Sequence, residues 1–255
     1  MNTSRRVSRD FTGDRPSGVG FAPPAELIRP SMVVRATTID RTETLNWVDL
    51  AAVHLGPKEF RRRLWHFSPG ILALAGTAVP YSEPVPTYLV TPAVLIGIGL
   101  TLAAIYWHRS IRRPGERHCL QSILGYSVSV IPLFVFFPSQ VELALTVTGI
   151  LAFGDGSATL VGLLAGSKKL PWNHRKSWAG AMAFVAAALP MAILIYWGIS
   201  LPRAPFETAA LCVIPTVLVA AAVETVPTRI NDNVFVGASA AAMIIAMHGL
   251  LVGWS

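Results

Sequence analysis

Residues 141–164 read VELALTVTGILAFGDGSATLVGLL. About 20 consecutive apolar residues in helical form cross the ~30 Å hydrocarbon core of a bilayer, and this run is long enough to do so. One carboxylate, Asp155, stands deep inside it. Six more runs of the same kind lie on either side, at roughly 64–82, 87–107, 119–137, 178–199, 207–227 and 233–253. Several are interrupted by Pro or Gly, which membrane helices tolerate because neighbouring helices satisfy the freed backbone groups. Hydrophobic residues make up 53 % of the 255-residue chain and charged residues 14 %. A water-soluble domain carries roughly 25 % charged residues, so this chain lacks the polar surface it would need in water. The expectation is an all-α integral membrane protein, a bundle of about seven transmembrane helices.

The remaining sequence fits that frame. Residues 1–44 hold Arg5, Arg6, Arg9, Arg15, Arg29, Arg35 and Arg41 among Gly, Pro, Ser and Thr, with no apolar period. This region reads as a disordered basic tail, or one loosely bound to anionic lipid, and 45–255 as the membrane domain. No apolar core follows the early arginines, so a signal peptide is not expected in the tail. A short amphipathic stretch, Leu45 to Leu55, is expected to lie along the interface. The turns are Pro80 to Pro86 and Pro138-Ser139-Gln140. Cys119 and Cys212 are too isolated for a disulfide framework or a zinc site and read as buried thiols.

The net charge of +7 suggests nucleic acid only until the cations are placed. They lie in the tail or between apolar runs, so no nucleic acid is expected. One side collects Lys58, Arg61, Arg62 and Arg63, then Arg109, Arg112, Arg113 and Arg117. Lys168, Lys169, Arg175, Lys176 and Arg229 follow on that side, and Arg203 stands on the other. Short cytoplasmic loops carry the excess of Lys and Arg, which puts the N-terminus inside.

Ionisable groups within spans are costly, at ~2.5–3.5 kcal/mol each on insertion scales, and so mark function. Asp155 lies about ten residues, or ~15 Å of helix, before the basic loop 166–177. Gly154, Ala158, Gly162 and Gly166 recur every four residues, a stripe suited to tight helix packing or to a lipid groove. Lys168, Lys169, Arg175 and Lys176 sit above the buried carboxylate, and polyphosphates need cations. No Walker P-loop pattern is present. Glu224 ends the sixth span and Asp232 opens the seventh, where it can cap the helix as well as bind an ion. With Asp155 they place three carboxylates at one membrane face, a donor set for a divalent cation. Arg62 and His66 stand four apart, on one helical face. The outer half of every span reads as bare of charge, which counts against a transporter. A plain membrane anchor leaves Asp155 unexplained.

At these residues the chain resembles the polyprenol kinase family, which includes dolichol kinases, phytol kinases and CTP-dependent diacylglycerol kinases. It is more distantly similar to phosphatidate cytidylyltransferases. The shared elements are Arg62-x-x-x-His66, Gly154-Asp155-x-x-Ala158 with Gly162 and Gly166, Lys176-Ser177-x-x-Gly180, and Glu224 followed by Asp232-Asn233. They keep the family's order over about residues 60–240. Ala179 departs from it, since relatives often carry Glu there. The resemblance implies transfer of the terminal phosphoryl group of a nucleoside triphosphate, CTP favoured, to the hydroxyl of a membrane isoprenoid alcohol at the cytoplasmic face. It implies Asp155 and His66 as catalytic groups, and Mg2+ on Asp155, Glu224 and Asp232. Lys168, Lys169, Arg175, Lys176, Ser177 and Asn233 would hold the nucleotide. A cytidylyltransferase making a CDP-lipid and a diacylglycerol kinase are the alternatives. A cytidylyltransferase would call for extra cations deeper in the lipid path, and none is visible between spans. The expected location is a bacterial inner membrane.

Overall fold

The computed structural model describes residues 47–79, 87–108, 119–165, 168–228 and 231–254. The basic tail, the turn at Pro80 to Pro86, the arginine loop at 109–118, Gly166, Ser167 and Arg229 lie outside the described residues, as does the side chain of Cys119.

Among the described residues there are seven long helices. They are α1 (Trp47–Gly76), α2 (Thr87–Tyr106), α3 (Cys119–Phe136), α4 (Val141–Leu164), α5 (Trp178–Ile199), α6 (Phe206–Thr225) and α7 (Asp232–Leu251). The protein is an all-α membrane protein. Helices α4 to α7 are each long and apolar enough to cross a bilayer, while α2 and α3 carry shorter apolar stretches, Val94–Tyr106 and Ile123–Phe136. The apolar runs of the sequence match α2 to α7 to within about two residues. The first does not. Helix α1 begins at Trp47, so the stretch expected to lie separately along the interface continues without a break into the first apolar run. The Pro138-Ser139-Gln140 turn is present, closed by the Gln140 N–H on the Phe137 carbonyl at 3.1 Å.

Helix α4 is central. Half of its most apolar window is buried, against 28 %, 39 % and 28 % for α5, α6 and α7. It touches α1, α3, α5, α6 and α7, whereas α2 lies at the periphery on α3. Lipid tails are as apolar as leucine, so membrane helices associate through close packing and interhelical polar contacts. Ala188 and Ala192 of α5, Ala209 and Ala220 of α6, and Ala240 of α7 are fully buried and let backbones approach. Tyr196, Phe184, Leu143, Ile150 and Leu151 fill the space between. Thr101 on α2 and Ser127 on α3 join their hydroxyls at 2.6 Å.

Two expectations change. The stripe Gly154, Ala158, Gly162 lines no groove. A Cβ on Gly154 would fall 2.6 Å from the Phe184 ring, and Gly180 of α5 sits directly on the Ala158 carbonyl. Gly162 faces Ser177 and Gly180. Helix α5 therefore covers the stripe. The half of the bundle expected to face outward is also not bare of charge. Glu142, thirteen residues or ~20 Å before Asp155 along α4, is buried with its carboxylate 3.8 Å from the His248 imidazole. Tyr196 completes the group, its hydroxyl 2.7 Å from His248 Nδ1. Glu142 is legible in the sequence as the second residue of its span; its partners are not, because they come from two other, distant helices.

Candidate functional site

The site forms at the end of the bundle where α4 closes, α5 begins, α6 ends and α7 starts. Its first feature is a distortion of α4. Residues Ile150–Asp155 form a π-helical segment between two α-helical halves. Such segments are rare, usually a single turn long, and frequent at functional sites. This one terminates on Asp155. The glycine that follows it serves close approach: a Cβ on Gly156 would meet the Phe67 ring at 2.8 Å, so α1 can come near only because position 156 is bare.

From α1, His66 Nε2 lies 3.2 Å from Asp155 Oδ2 and 3.0 Å from the Leu151 carbonyl oxygen. Both partners are acceptors, so Nε2 carries the proton and donates to both. Nδ1 is therefore the nitrogen left to accept a proton when the ring is neutral. The His66 and Asp155 side chains keep 16 % and 19 % exposure. The Tyr126 ring meets His66 edge-on at 6.0 Å. Arg63, buried and one turn before His66, stands with Arg62 in electrostatic range of both His66 and Asp155.

The loop after α4 is a small hairpin rather than a loose basic strand. The Leu170 N–H bonds the Lys176 carbonyl at 3.1 Å, and the Trp178 N–H bonds the Lys168 carbonyl at 3.1 Å. Leu170 is fully buried. Asn173 donates its side-chain amide to the Thr225 carbonyl at 3.1 Å, fastening the hairpin to the end of α6. Ser177 caps α5, its hydroxyl accepting the Gly180 N–H at 3.2 Å.

This anchoring turns one lysine inward. Lys176 Nζ lies 2.6 Å from Glu224 Oε1 and 3.2 Å from Asp232 Oδ2. Partial burial works against its charge, but the carboxylates of Glu224, Asp155 and Asp232 outweigh it and hold its pKa above the ordinary lysine range. An ammonium has three N–H donors. Among the described residues, Glu224 and Asp232 take two of them. Lys168, Lys169 and Arg175 instead point outward and are exposed.

The sequence-derived residues thus fall into two groups. Asp155, His66, Lys176, Glu224 and Asp232 come together around one end of α4. Lys168, Lys169 and Arg175 stand at the rim, and Ser177 has a capping role. Asn233 contributes its backbone: its N–H bonds the Asn231 side chain at 2.9 Å and its carbonyl accepts from Ser129 at 3.2 Å. The cap of α7 is accordingly Asn231. Asp232, offered as a possible cap, is freed for Lys176. The sequence reading missed Arg63, Tyr126 and Asn173. Of these, Arg63 had a readable signal, since it lies three residues before His66 and so shares its helical face.

Among the described residues no cluster of three His, Cys, Asp or Glu side chains is close enough to hold an ion alone. Glu224 and Asp232 nevertheless share one cation in Lys176. Two hard carboxylate oxygens completed by water and phosphate oxygens are the usual magnesium arrangement, so the donor set fits that ion.

The chain is similar to known kinases. The chain is 28 % identical over 240 residues to a probable phytol kinase, chloroplastic, of Zea mays, covering 88 % of this chain and 78 % of the relative. It is 31 % identical over 134 residues to phytol kinase 1, chloroplastic, of Arabidopsis thaliana, covering 50 % of this chain and 44 % of that one. A farnesol kinase, chloroplastic, of Arabidopsis thaliana is 29 % identical over 113 residues, covering 42 % of this chain and 35 % of the relative. No family model matches, and no solved structure matches. The resemblance to the polyprenol kinase family is upheld: the homologues are phosphotransferases with an alcohol acceptor. Their names place them in chloroplasts, which gives no support to a bacterial inner membrane.

Proposed function

We propose that this chain is an isoprenoid alcohol kinase that transfers the terminal phosphoryl group of a nucleoside triphosphate, CTP favoured, to a phytol- or polyprenol-type alcohol. The observation that carries the reading is that Lys176 pairs with Glu224 and Asp232, with Asp155 in electrostatic range, beside an Asp155–His66 pair that stays partly open. A nucleotide approaching from water and a lipid hydroxyl at headgroup level can meet there. The curated homologues, which are phytol and farnesol kinases, support the same choice.

Phosphoryl transfer is mostly positioning and charge neutralisation. Lys176 gives its third N–H to a phosphate oxygen. Arg63 and Arg62 add positive charge from α1. Lys168, Lys169 and Arg175 draw the polyphosphate toward the rim. Glu224 and Asp232, with Asp155 beside them, would hold Mg2+, which when bound neutralises phosphate charge. Asp155 accepts the proton of the alcohol as its oxygen bonds to the terminal phosphorus and the bond to the leaving nucleoside diphosphate breaks. His66 holds Asp155 through Nε2–H, and its Nδ1 is the second choice of base. The one-sided distribution of Lys and Arg supports a cytoplasmic site.

The test is direct. Purified protein with magnesium is incubated with labelled CTP, UTP, ATP or GTP and with phytol, farnesol, dolichol or diacylglycerol. The expected product is an isoprenyl monophosphate. Preferential formation of phosphatidic acid would overturn the isoprenoid choice, and a CDP-lipid formed from added phosphatidate would overturn the kinase reading.

A further inference from the structure

In lipid every backbone carbonyl needs a partner from the protein. A π-helical segment disturbs the i→i−4 ladder that normally supplies one. Around Ile150–Asp155 the i→i−5 bonds of the π-helix are supplemented by side chains. His66 of α1 donates to the Leu151 carbonyl at 3.0 Å. Tyr126 of α3 donates its hydroxyl to the Thr148 carbonyl at 2.9 Å, just before the segment starts. Ser157 donates to the Phe153 carbonyl at 2.5 Å, with the Gly154 carbonyl also in reach at 3.0 Å, at the far end. The two rings from α1 and α3 also support each other edge-on.

The remaining side of the segment is fixed by shape. Gly149 lies under Ile195 and Gly154 under Phe184, both of α5, and Gly70 of α1 seats against Ala152 and Phe153. Tyr126 is the member of this clamp that comes from α3. Its neighbour Gly125 packs on Asn231, the cap of α7, where a Cβ would fall 2.9 Å from the Asn231 Oδ1. Helix α3 thus connects the start of α7, with Asp232, to the turn that carries Asp155.

We infer that Tyr126 is a positioning residue: its hydroxyl on the Thr148 carbonyl and its ring on His66 hold the π-helical turn so that the Asp155 carboxylate is aimed at the reacting hydroxyl. The inference rests on the reading of Asp155 as a reacting group. Tyr126 itself touches no substrate. Its loss should lower the turnover number and leave both Michaelis constants in place.

The experiment compares Tyr126→Phe with the wild type in the full chain. Phenylalanine keeps the ring contact and removes one neutral hydrogen bond, so kcat should fall about five- to tenfold. KM for the alcohol and for the nucleotide should stay within about twofold. Hydrogen exchange of the amides in 149–156 should quicken by a similar factor, and the exchange of α6 should not change. Tyr126→Leu, which also removes the ring, should lose more turnover than Tyr126→Phe. Unchanged kcat with unchanged exchange in Tyr126→Phe overturns the inference, as does a rise in either KM with kcat intact. Exchange reads the clamp whatever the substrate is. A wild type without alcohol kinase activity but with faster exchange in Tyr126→Phe would therefore remove the catalytic reading and leave the clamp standing.

Discussion

Replacing Lys176 by alanine separates the structural and chemical duties of that residue. Its ammonium pairs with Glu224, whose side chain is 4 % exposed, and with Asp232, which is 48 % exposed. The second pair is screened and contributes at most ~1 kcal/mol. The first differs in kind. Removing the lysine strands a carboxylate away from water, and breaking a buried pair in this way costs ~3–5 kcal/mol. Lys176 is itself 21 % exposed, so the lower end, about 3 kcal/mol, is the expected loss of stability. The chemical duty is the third N–H. A hydrogen bond to a charged partner contributes ~1.5–3 kcal/mol, so the nucleotide KM should rise roughly 10- to 150-fold. The two effects part in the double variant. Adding Glu224→Gln to Lys176→Ala removes the stranded charge and should restore most of the lost stability. The nucleotide KM should stay high. Thermal unfolding in detergent micelles reads the first quantity, and initial rates at varied nucleotide and alcohol read the second. The reasoning is refuted if Glu224→Gln restores no stability, or if the alcohol KM rises while the nucleotide KM does not.

Asp155→Asn should insert and fold normally, since it removes a buried charge, and should lower turnover at least ~100-fold; wild-type rates in well-folded protein would remove the centre of the proposed mechanism. Gly154→Val drives a side chain into Phe184, so it should lower the unfolding temperature by the equivalent of ~1–3 kcal/mol. A selective rise in alcohol KM with stability unchanged would show instead that the stripe faces substrate. A cysteine placed at Ser167 should resist an impermeant thiol reagent applied outside intact cells and react after permeabilisation; ready labelling from outside would reverse the topology.

The sequence by itself determined the class, an all-α membrane protein built on long apolar helices. That succeeded because the hydrocarbon thickness fixes how long an apolar run must be, and 141–164 and 178–199 reappear with the same ends as α4 and α5. The sequence also named Asp155, because a charge inside a span is costly to insert and is kept where the protein uses it, and it grouped Glu224, Asp232 and Lys176 by membrane face. Tertiary structure decided the rest. Four loop cations look equivalent in sequence. Only the anchoring of Leu170 and Asn173 turns Lys176 inward and leaves Lys168, Lys169 and Arg175 at the rim. The glycine stripe is the same string whether it lines a groove or receives a helix, and Phe184 and Gly180 decide for the helix. The π-helical turn leaves no trace in the sequence, since its donors His66 and Tyr126 lie 85 and 22 residues away from the carbonyls they serve. Local sequence specifies which segments enter the membrane; which side chains meet there depends on how α1, α3 and α5 pack around α4.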